Sequence, residues 1–309
     1  MLTFQNHTAL SPLRRFLEIL AFSQTVLRRR RFDLVIIPRW DFDIYNALSL
    51  AFFSNASWRI GFSERVNLVK QALNHHYDLF LTHAVDSRGI RHEVLRSLEI
   101  LPILGAHAAE TTLEAWTTPQ DDAFAVRFLE RNGVGVHERI IGLGPFCRDP
   151  KRTWPMERYI DLASWMSREF KARIMVVGGE EDSGHRESFG LRLGSSLVFS
   201  AGSATLRQTM SLLRHCRLFI GNDSGPMHLA ASVGLPVVEI SAHPKDGDRG
   251  HANSPDRFGP WNVPRIILQP DTAIPPCTGH CRSDSSHCIK RIELETVKDA
   301  AARMFRNVS

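Results

Sequence analysis

No run of about 20 apolar residues occurs in this 309-residue chain, so no segment has the length to cross a bilayer as a helix. The amino terminus also lacks the basic-then-apolar pattern of a secretory signal. Cysteine is scarce and odd in number: the chain has five, of which Cys277, Cys281 and Cys288 lie near the carboxyl end. That count excludes a secreted disulfide framework and gives an oxidising compartment no support, so a cytoplasmic protein is expected. There is no low-complexity tract, and the 43% apolar and 23% charged residues are ordinary for a globular protein, which excludes long disorder. Charge of one sign is nearly balanced, 38 basic against 33 acidic residues, so no nucleic-acid partner is expected. Neither the dinucleotide glycine fingerprint nor a GxxxxGK[ST] loop is present, and dehydrogenase and P-loop chemistry lose their support.

What remains is long enough for two packed domains, with strands and helices in alternation. Residues 11–30 place Leu13, Phe16, Leu17, Leu20 and Leu27 at helical spacing behind Ser11 as N-cap, and run into an apolar segment at 32–38 of the kind a parallel sheet buries on both faces. A helix at 44–53, a strand at 77–81, and helices at 89–103 and 120–132 follow. Beyond Gly133 a second series opens: strands at 139–143, 174–177, 197–200, 218–221 and 237–241, separated by helical segments. The pattern specifies an α/β fold of doubly wound parallel sheets, with domains expected at 1–136 and 137–309. In such sheets ligands bind beyond the carboxyl ends of the strands.

The loops at those ends carry the chemistry. In Gly221-Asn222-Asp223-Ser224-Gly225-Pro226-Met227-His228 a strand stops and Pro226 starts a helix, making a ready anion site. Backbone donors at Ser224, Gly225 and Met227, the Ser224 hydroxyl and His228 can converge there on a phosphate; a plain turn capped by Ser224 or Gly225 is the structural alternative. Asp223 would repel a phosphate, so it suits a ligand hydroxyl or the ordering of the loop. After the strand 139–143, Arg148, Lys151 and Arg152 put cations where they could neutralise a pyrophosphate, or simply form a solvated basic loop. Glu180 and Glu181, after the strand 174–177, fit either ribose hydroxyls or an acid-rich helix start.

With these residues in view, the GNDSGPMHLAAS segment, the preceding Lys151-Arg152-Thr153-Trp154-Pro155 and the cysteine-bearing tail resemble glycosyltransferase family 9, the ADP-heptose:lipopolysaccharide heptosyltransferase family. The resemblance covers roughly residues 30 to 305. It implies a GT-B fold of two Rossmann-like domains, and inverting, metal-independent transfer of a heptose or related sugar from a nucleotide diphosphate to a lipid-linked or saccharide acceptor. Asp223, Ser224, Gly225 and His228 match the donor-contacting loop. Arg152 occupies the position of the loop lysine, with Lys151 one residue earlier, and Glu180 and Glu181 match by position after their strand.

The resemblance also implies an opening strand, a Gly-Asp turn and a helix, whose aspartate is the general base. The sequence shows no such segment before its first helix, so the first βα unit is expected to be missing or the base to lie elsewhere. Asp41 and Asp43, past the strand at 32–38, are the substitutes, against a role in loop capping. No cofactor is expected. The tail spacing C-x3-C-x6-C lacks the short C-x2-C knuckle of zinc sites, so Cys277, Cys281 and Cys288 are taken first as a structural feature and metal binding as the lesser alternative. Arg28 to Arg31 either touch anionic headgroups at the inner membrane face or form a solvated helix end. The functional alternative is a catalytically inactive nucleotide-sugar-binding or scaffold protein.

Overall fold

The computed structural model describes residues 11–277, 282–283 and 285–307, and the chain divides into two compact units at Glu110/Thr111. In the N-terminal unit, strands β1 (Leu34–Ile37), β2 (Trp58–Phe62) and β3 (His83–Val85) form a parallel sheet in the order β1-β2-β3. Ser11 caps the first helix, Pro12–Phe22, by accepting from the Arg14 N–H, and a π-helical turn, Ser23–Leu27, continues it to Arg30. Three expectations change here. β1 is an edge strand with Leu34 and Ile36 exposed rather than a strand buried on both faces. Tyr77–Phe80 is a 3-10 turn, and the strand lies three residues beyond it at His83–Val85. The strand β2 had no counterpart in the sequence reading.

The C-terminal unit carries β4 (Arg139–Gly144), β5 (Ala172–Val176), β6 (Leu197–Phe199), β7 (Leu218–Asn222), β8 (Val237–Ile240) and β9 (Arg265–Leu268), all parallel, in the order β6-β5-β4-β7-β8-β9. Counted within the unit this is 3-2-1-4-5-6, the Rossmann order, and the direction of winding reverses between β4 and β7. Both sheet faces are covered. The helix Met156–Phe170 places Tyr159, Leu162, Met166 and Phe170 on one face, joined by Val297, Ala301 and Phe305 of the carboxyl-terminal helix Leu294–Asn307. Helices Pro119–Arg131, Leu206–Leu213 and Gly225–Ser232 bury Leu129, Leu212, Leu213 and Met227 on the other. Each fully buried side chain of this size stabilises the fold by about 1.5–3 kcal/mol, so the two layers hold the sheet from both sides.

The division at 110/111 differs from the expected 136/137 because the helix Pro119–Arg131 packs on the C-terminal sheet. The segment leading into it is tied there as well. The Trp261 Nε1–H donates to the Thr111 carbonyl (2.7 Å), Arg214 to the Ala115 carbonyl (2.8 Å) and the Ser211 hydroxyl to Asp122 (2.7 Å). The glycines at 133 and 135 interrupt a helix-to-strand connection inside one unit.

At the reversal point β4 and β7 approach through Gly144 and Gly221, which are register partners. A Cβ on Gly221 would stand 2.7 Å from the Gly144 carbonyl oxygen, whereas one on Gly225 would meet nothing within 4 Å. Gly221→Ala is therefore expected to destabilise the chain by about 1–3 kcal/mol in urea unfolding, and Gly225→Ala to leave stability unchanged within about 0.5 kcal/mol. Equal stabilities for the two variants would refute the close-approach reading.

Candidate functional site

The loops that leave β4 and β7 meet at the reversal point, and a buried polar cluster joins them. Asp223, one residue past β7, is buried and pairs with the Arg152 guanidinium (Nη2 to Oδ2 2.5 Å), which also donates to the Asp223 carbonyl. His228, one turn into the helix Gly225–Ser232, stands with Nε2 3.9 Å from the other carboxylate oxygen. Asn222 aligns the two loops: its Oδ1 accepts from the Trp154 N–H (3.0 Å) and its Nδ2 donates to the Pro145 carbonyl (2.7 Å). The Trp154 indole is fully buried and donates to the Ile292 carbonyl (2.8 Å), a carbonyl that Arg158 also reaches at 2.8 Å. A strap just before the carboxyl-terminal helix is thereby fastened beneath the β4 loop.

Burial pushes the Asp223 carboxyl up, with Arg152 and then His228 opposing that shift. It pushes the His228 imidazole down, against the pull of Asp223. Glu239 lies in β8, with Gly221 as its register partner on β7. It is fully buried and neither oxygen meets a donor at hydrogen-bond geometry. Burial, reinforced by Asp223, drives its carboxyl well above the ordinary value, although Arg152 and the nearby Ser241 hydroxyl favour ionisation to a smaller degree. Burial therefore favours the protonated form of Glu239.

The helix start after β7 is equally defined. Ser224 is extended and its buried hydroxyl makes no cap and has no partner among the described residues. The amide N–H groups of Ser224 and Gly225 likewise find no acceptor among the described residues. Met227 is different from expectation: its N–H is committed to the Ser224 carbonyl (3.0 Å) and its side chain is in the core, so it offers no donor to a ligand. Lys151 is half-buried, and its ammonium has no partner among the described residues. Arg152 instead faces Asp223. Glu180 and Glu181 are exposed beyond the end of β5, and the cap of their turn is made by Asp182, whose Oδ2 accepts from the Gly179 N–H (2.8 Å).

Asp41 and Asp43 belong to the N-terminal unit. The Asp43 carboxylate accepts from the N–H groups of Tyr45 (3.0 Å) and Leu48 (2.9 Å), so it organises the start of the helix Ala47–Phe53 in the capping role. Asp41 is half-buried beside it. Between them and the ends of β1 and β2 lies Lys70, which sequence reasoning missed. It is fully buried, donates to the carbonyls of Arg39 (3.1 Å) and Phe62 (2.8 Å), and sits 4.5 Å above the Tyr77 ring. Burial brings it down to about 8, with Asp43, Asp78 and Asp41 opposing. Glu239 and Asn222 were missed as well. A carboxylate inside Val237-Val238-Glu239-Ile240 was the available signal for the first, since buried parallel strands exclude charge.

Three comparisons with known proteins bear on this arrangement. The family model of glycosyltransferase family 9 (heptosyltransferase) matches residues 19–279. Lipooligosaccharide heptosyltransferase 2 of Haemophilus influenzae is 29% identical over 128 residues, which are 40% of this chain and 37% of that protein, so the match spans little more than a third of the relative's length. A glycosyl transferase family 9 structure from Veillonella parvula superposes with a TM-score of 0.73 at 21% identity, over 94% of this chain and 79% of the other. ADP-heptose LPS heptosyltransferase II of E. coli does so at 0.66 and 16%, over 94% and 81%. These likenesses show the fold, an α/β architecture of the GT-B class.

The burial of Glu239 has a consequence for stability. Above its ordinary value of 4.5, the unfolded chain has released this proton while the folded chain retains it, so folding becomes less favourable as pH rises toward the folded value. Asp223, shifted the same way, adds to that slope. Glu239→Gln removes one contribution, at most about 1.4 kcal/mol per pH unit. Its melting temperature relative to the parent should therefore rise as pH is raised above 4.5. A constant difference across that range would mean that Glu239 is ionised in the folded protein.

Proposed function

The chain belongs to glycosyltransferase family 9, and from that premise we propose that it moves a heptose or related sugar from a nucleotide-diphosphate donor, of the ADP-heptose kind, to a lipopolysaccharide-type or other saccharide acceptor. The observation that carries this reading is the convergence, at the β4/β7 reversal point, of the Arg152–Asp223–His228 cluster with the open N–H groups of Ser224 and Gly225 and the unpaired ammonium of Lys151. A diphosphate suits this array. Two amide donors at the helix start after β7 and a cation in the β4 loop favour the anion, while Arg152, held by Asp223, ties the two loops together. Glu180 and Glu181, exposed at the neighbouring strand end, are the proposed acceptors for ribose hydroxyls.

The proposed chemistry is an inverting, metal-independent displacement. An acceptor hydroxyl oxygen forms a bond to the anomeric carbon as the bond from that carbon to the diphosphate oxygen breaks. The leaving diphosphate takes the electron pair, and Lys151 with the Ser224 and Gly225 amides stabilise its growing charge. The acceptor proton goes to a carboxylate base. Asp41 and Asp43 are the proposed candidates for that base, and Asp43 also accepts from the Tyr45 and Leu48 N–H groups. We place the reaction on the cytoplasmic side, with Arg28 to Arg31 and the exposed Leu13, Phe16 and Leu17 of the first helix as the surface for contact with anionic membrane lipid.

The test combines binding and turnover. Asp223→Ala and His228→Ala should each lower kcat/KM with a nucleotide-heptose donor by at least about tenfold, roughly 1.4 kcal/mol of transition-state stabilisation. Unaltered kinetics in both folded variants would sink the proposal. By calorimetry, ADP should bind the parent with an affinity that falls as salt is added, and Lys151→Ala combined with Arg152→Ala should weaken it by about tenfold or more. Equal affinities would make the β4 loop a solvated surface.

A further inference from the structure

The segment between β9 and the carboxyl-terminal helix gathers three ligand atoms that the transfer chemistry does not use. Cys277 and Cys288 are buried, neither is in a disulfide, and His287 is half-buried between them. The His287 Nδ1 lies 3.7 Å from the Cys277 sulfur and 3.4 Å from the Cys288 sulfur, and all three atoms fall within 4.8 Å of one another. Zinc binds cysteine sulfur at about 2.3 Å and histidine nitrogen at about 2.0–2.1 Å in tetrahedral geometry, which sets an S···N edge of about 3.5–3.6 Å. The two observed edges straddle that value.

The surroundings fit metal-bound thiolates. The Arg282 N–H donates to the Cys277 sulfur (3.2 Å) and the Ile274 N–H to the Cys288 sulfur (3.3 Å). A thiol sulfur is a weak acceptor, whereas a sulfur carrying ligand charge gains from such donors, the outer-shell arrangement that orients and tunes metal ligands. Among the described residues no other group of three or more histidine, cysteine or acidic side chains converges in this way. Cys281 lies outside the described residues and is no part of the argument.

The geometry points to a structural zinc site formed by Cys277, His287 and Cys288. On binding, the two thiols give their protons to solvent, two Zn–S bonds and one Zn–N bond form as the ion releases water, one retained water would complete the tetrahedron, and the two thiolate charges balance the dication, so no net charge is left buried. The site joins the loop after β9 to the turn Cys288–Arg291. One residue further on, the Ile292 carbonyl receives Trp154 and Arg158, so the ion would pin the strap on which the β4 loop rests. This inference is independent of sugar transfer.

The full chain, purified in reducing buffer with zinc and then desalted, should carry about one zinc per chain by elemental analysis. Cobalt added to the chelator-stripped protein should produce sulfur-to-cobalt charge-transfer absorption and tetrahedral d–d bands. Both signals should be lost in Cys277→Ser and Cys288→Ser and weakened at least about tenfold in affinity in His287→Ala. The histidine variant keeps the buried sulfurs, which separates loss of the ion from failure to fold. Reduced parent protein that takes up neither metal would overturn the site. So would three variants that retain zinc in full, or a Cys277–Cys288 disulfide in freshly prepared protein.

Discussion

The ion pair between Asp223 and Arg152 is the constraint on which the C-terminal unit's loops depend. A carboxylate this deeply buried beside β7 is costly unless its charge is matched, and the guanidinium that matches it comes from the other side of the reversal point. Because Arg152 bonds both the carboxylate and the carbonyl of Asp223, one contact fixes the position of the loop after β4 relative to the loop after β7. Removing either partner would strand the other in a site of low polarity, which makes the pair a stronger positional device than an exposed salt bridge of the same length.

Neutral hydrogen bonds finish what the pair begins. Asn222 accepts from the Trp154 backbone and donates to Pro145, so both ends of the β4 loop are tied to the residue before Asp223. Trp154 passes the constraint on to Ile292, in the strap before the last helix, and Val297, Ala301 and Phe305 of that helix pack on the same sheet face as Tyr159 and Met166. The loops are thus preorganised by a chain of contacts that begins in the core. The Lys151 ammonium, in the same loop, takes no part in this chain of contacts among the described residues.

Local signals were legible in the sequence, and spatial order was not. The alternation of strands and helices after Gly133 and the turn at Asp223–Pro226 could be read because their patterns are contained in short windows. The 3-2-1-4-5-6 order could not, since nothing in those windows says which strand is central; that order is what brings residue 152 to residue 223. Met227 and Ser224 illustrate the same limit. Their residue types suit an anion site equally, yet helix geometry directs the Met227 N–H to a carbonyl and leaves the Ser224 hydroxyl open. Tyr77–Phe80 has strand-like composition but folds as a 3-10 turn whose Tyr77 packs against Lys70, a tertiary contact that overrides propensity. The helix Pro119–Arg131 was recognised and assigned to the wrong unit, because its partners Leu212 and Leu213 lie some 80 residues away in sequence.

Glu239 shows how burial of an acid bears on the charge balance at the strand ends. If it were ionised, it and Asp223 would together offset the charges of Arg152 and Lys151. Burial disfavours the charged form of Glu239, which favours a surplus of positive charge at the strand ends. An isolated carboxylate in a medium of low polarity is far more expensive than a carboxylic acid, so burial favours retention of the proton. The field at the strand ends is thus set as much by a side chain whose charge burial disfavours as by those that carry one.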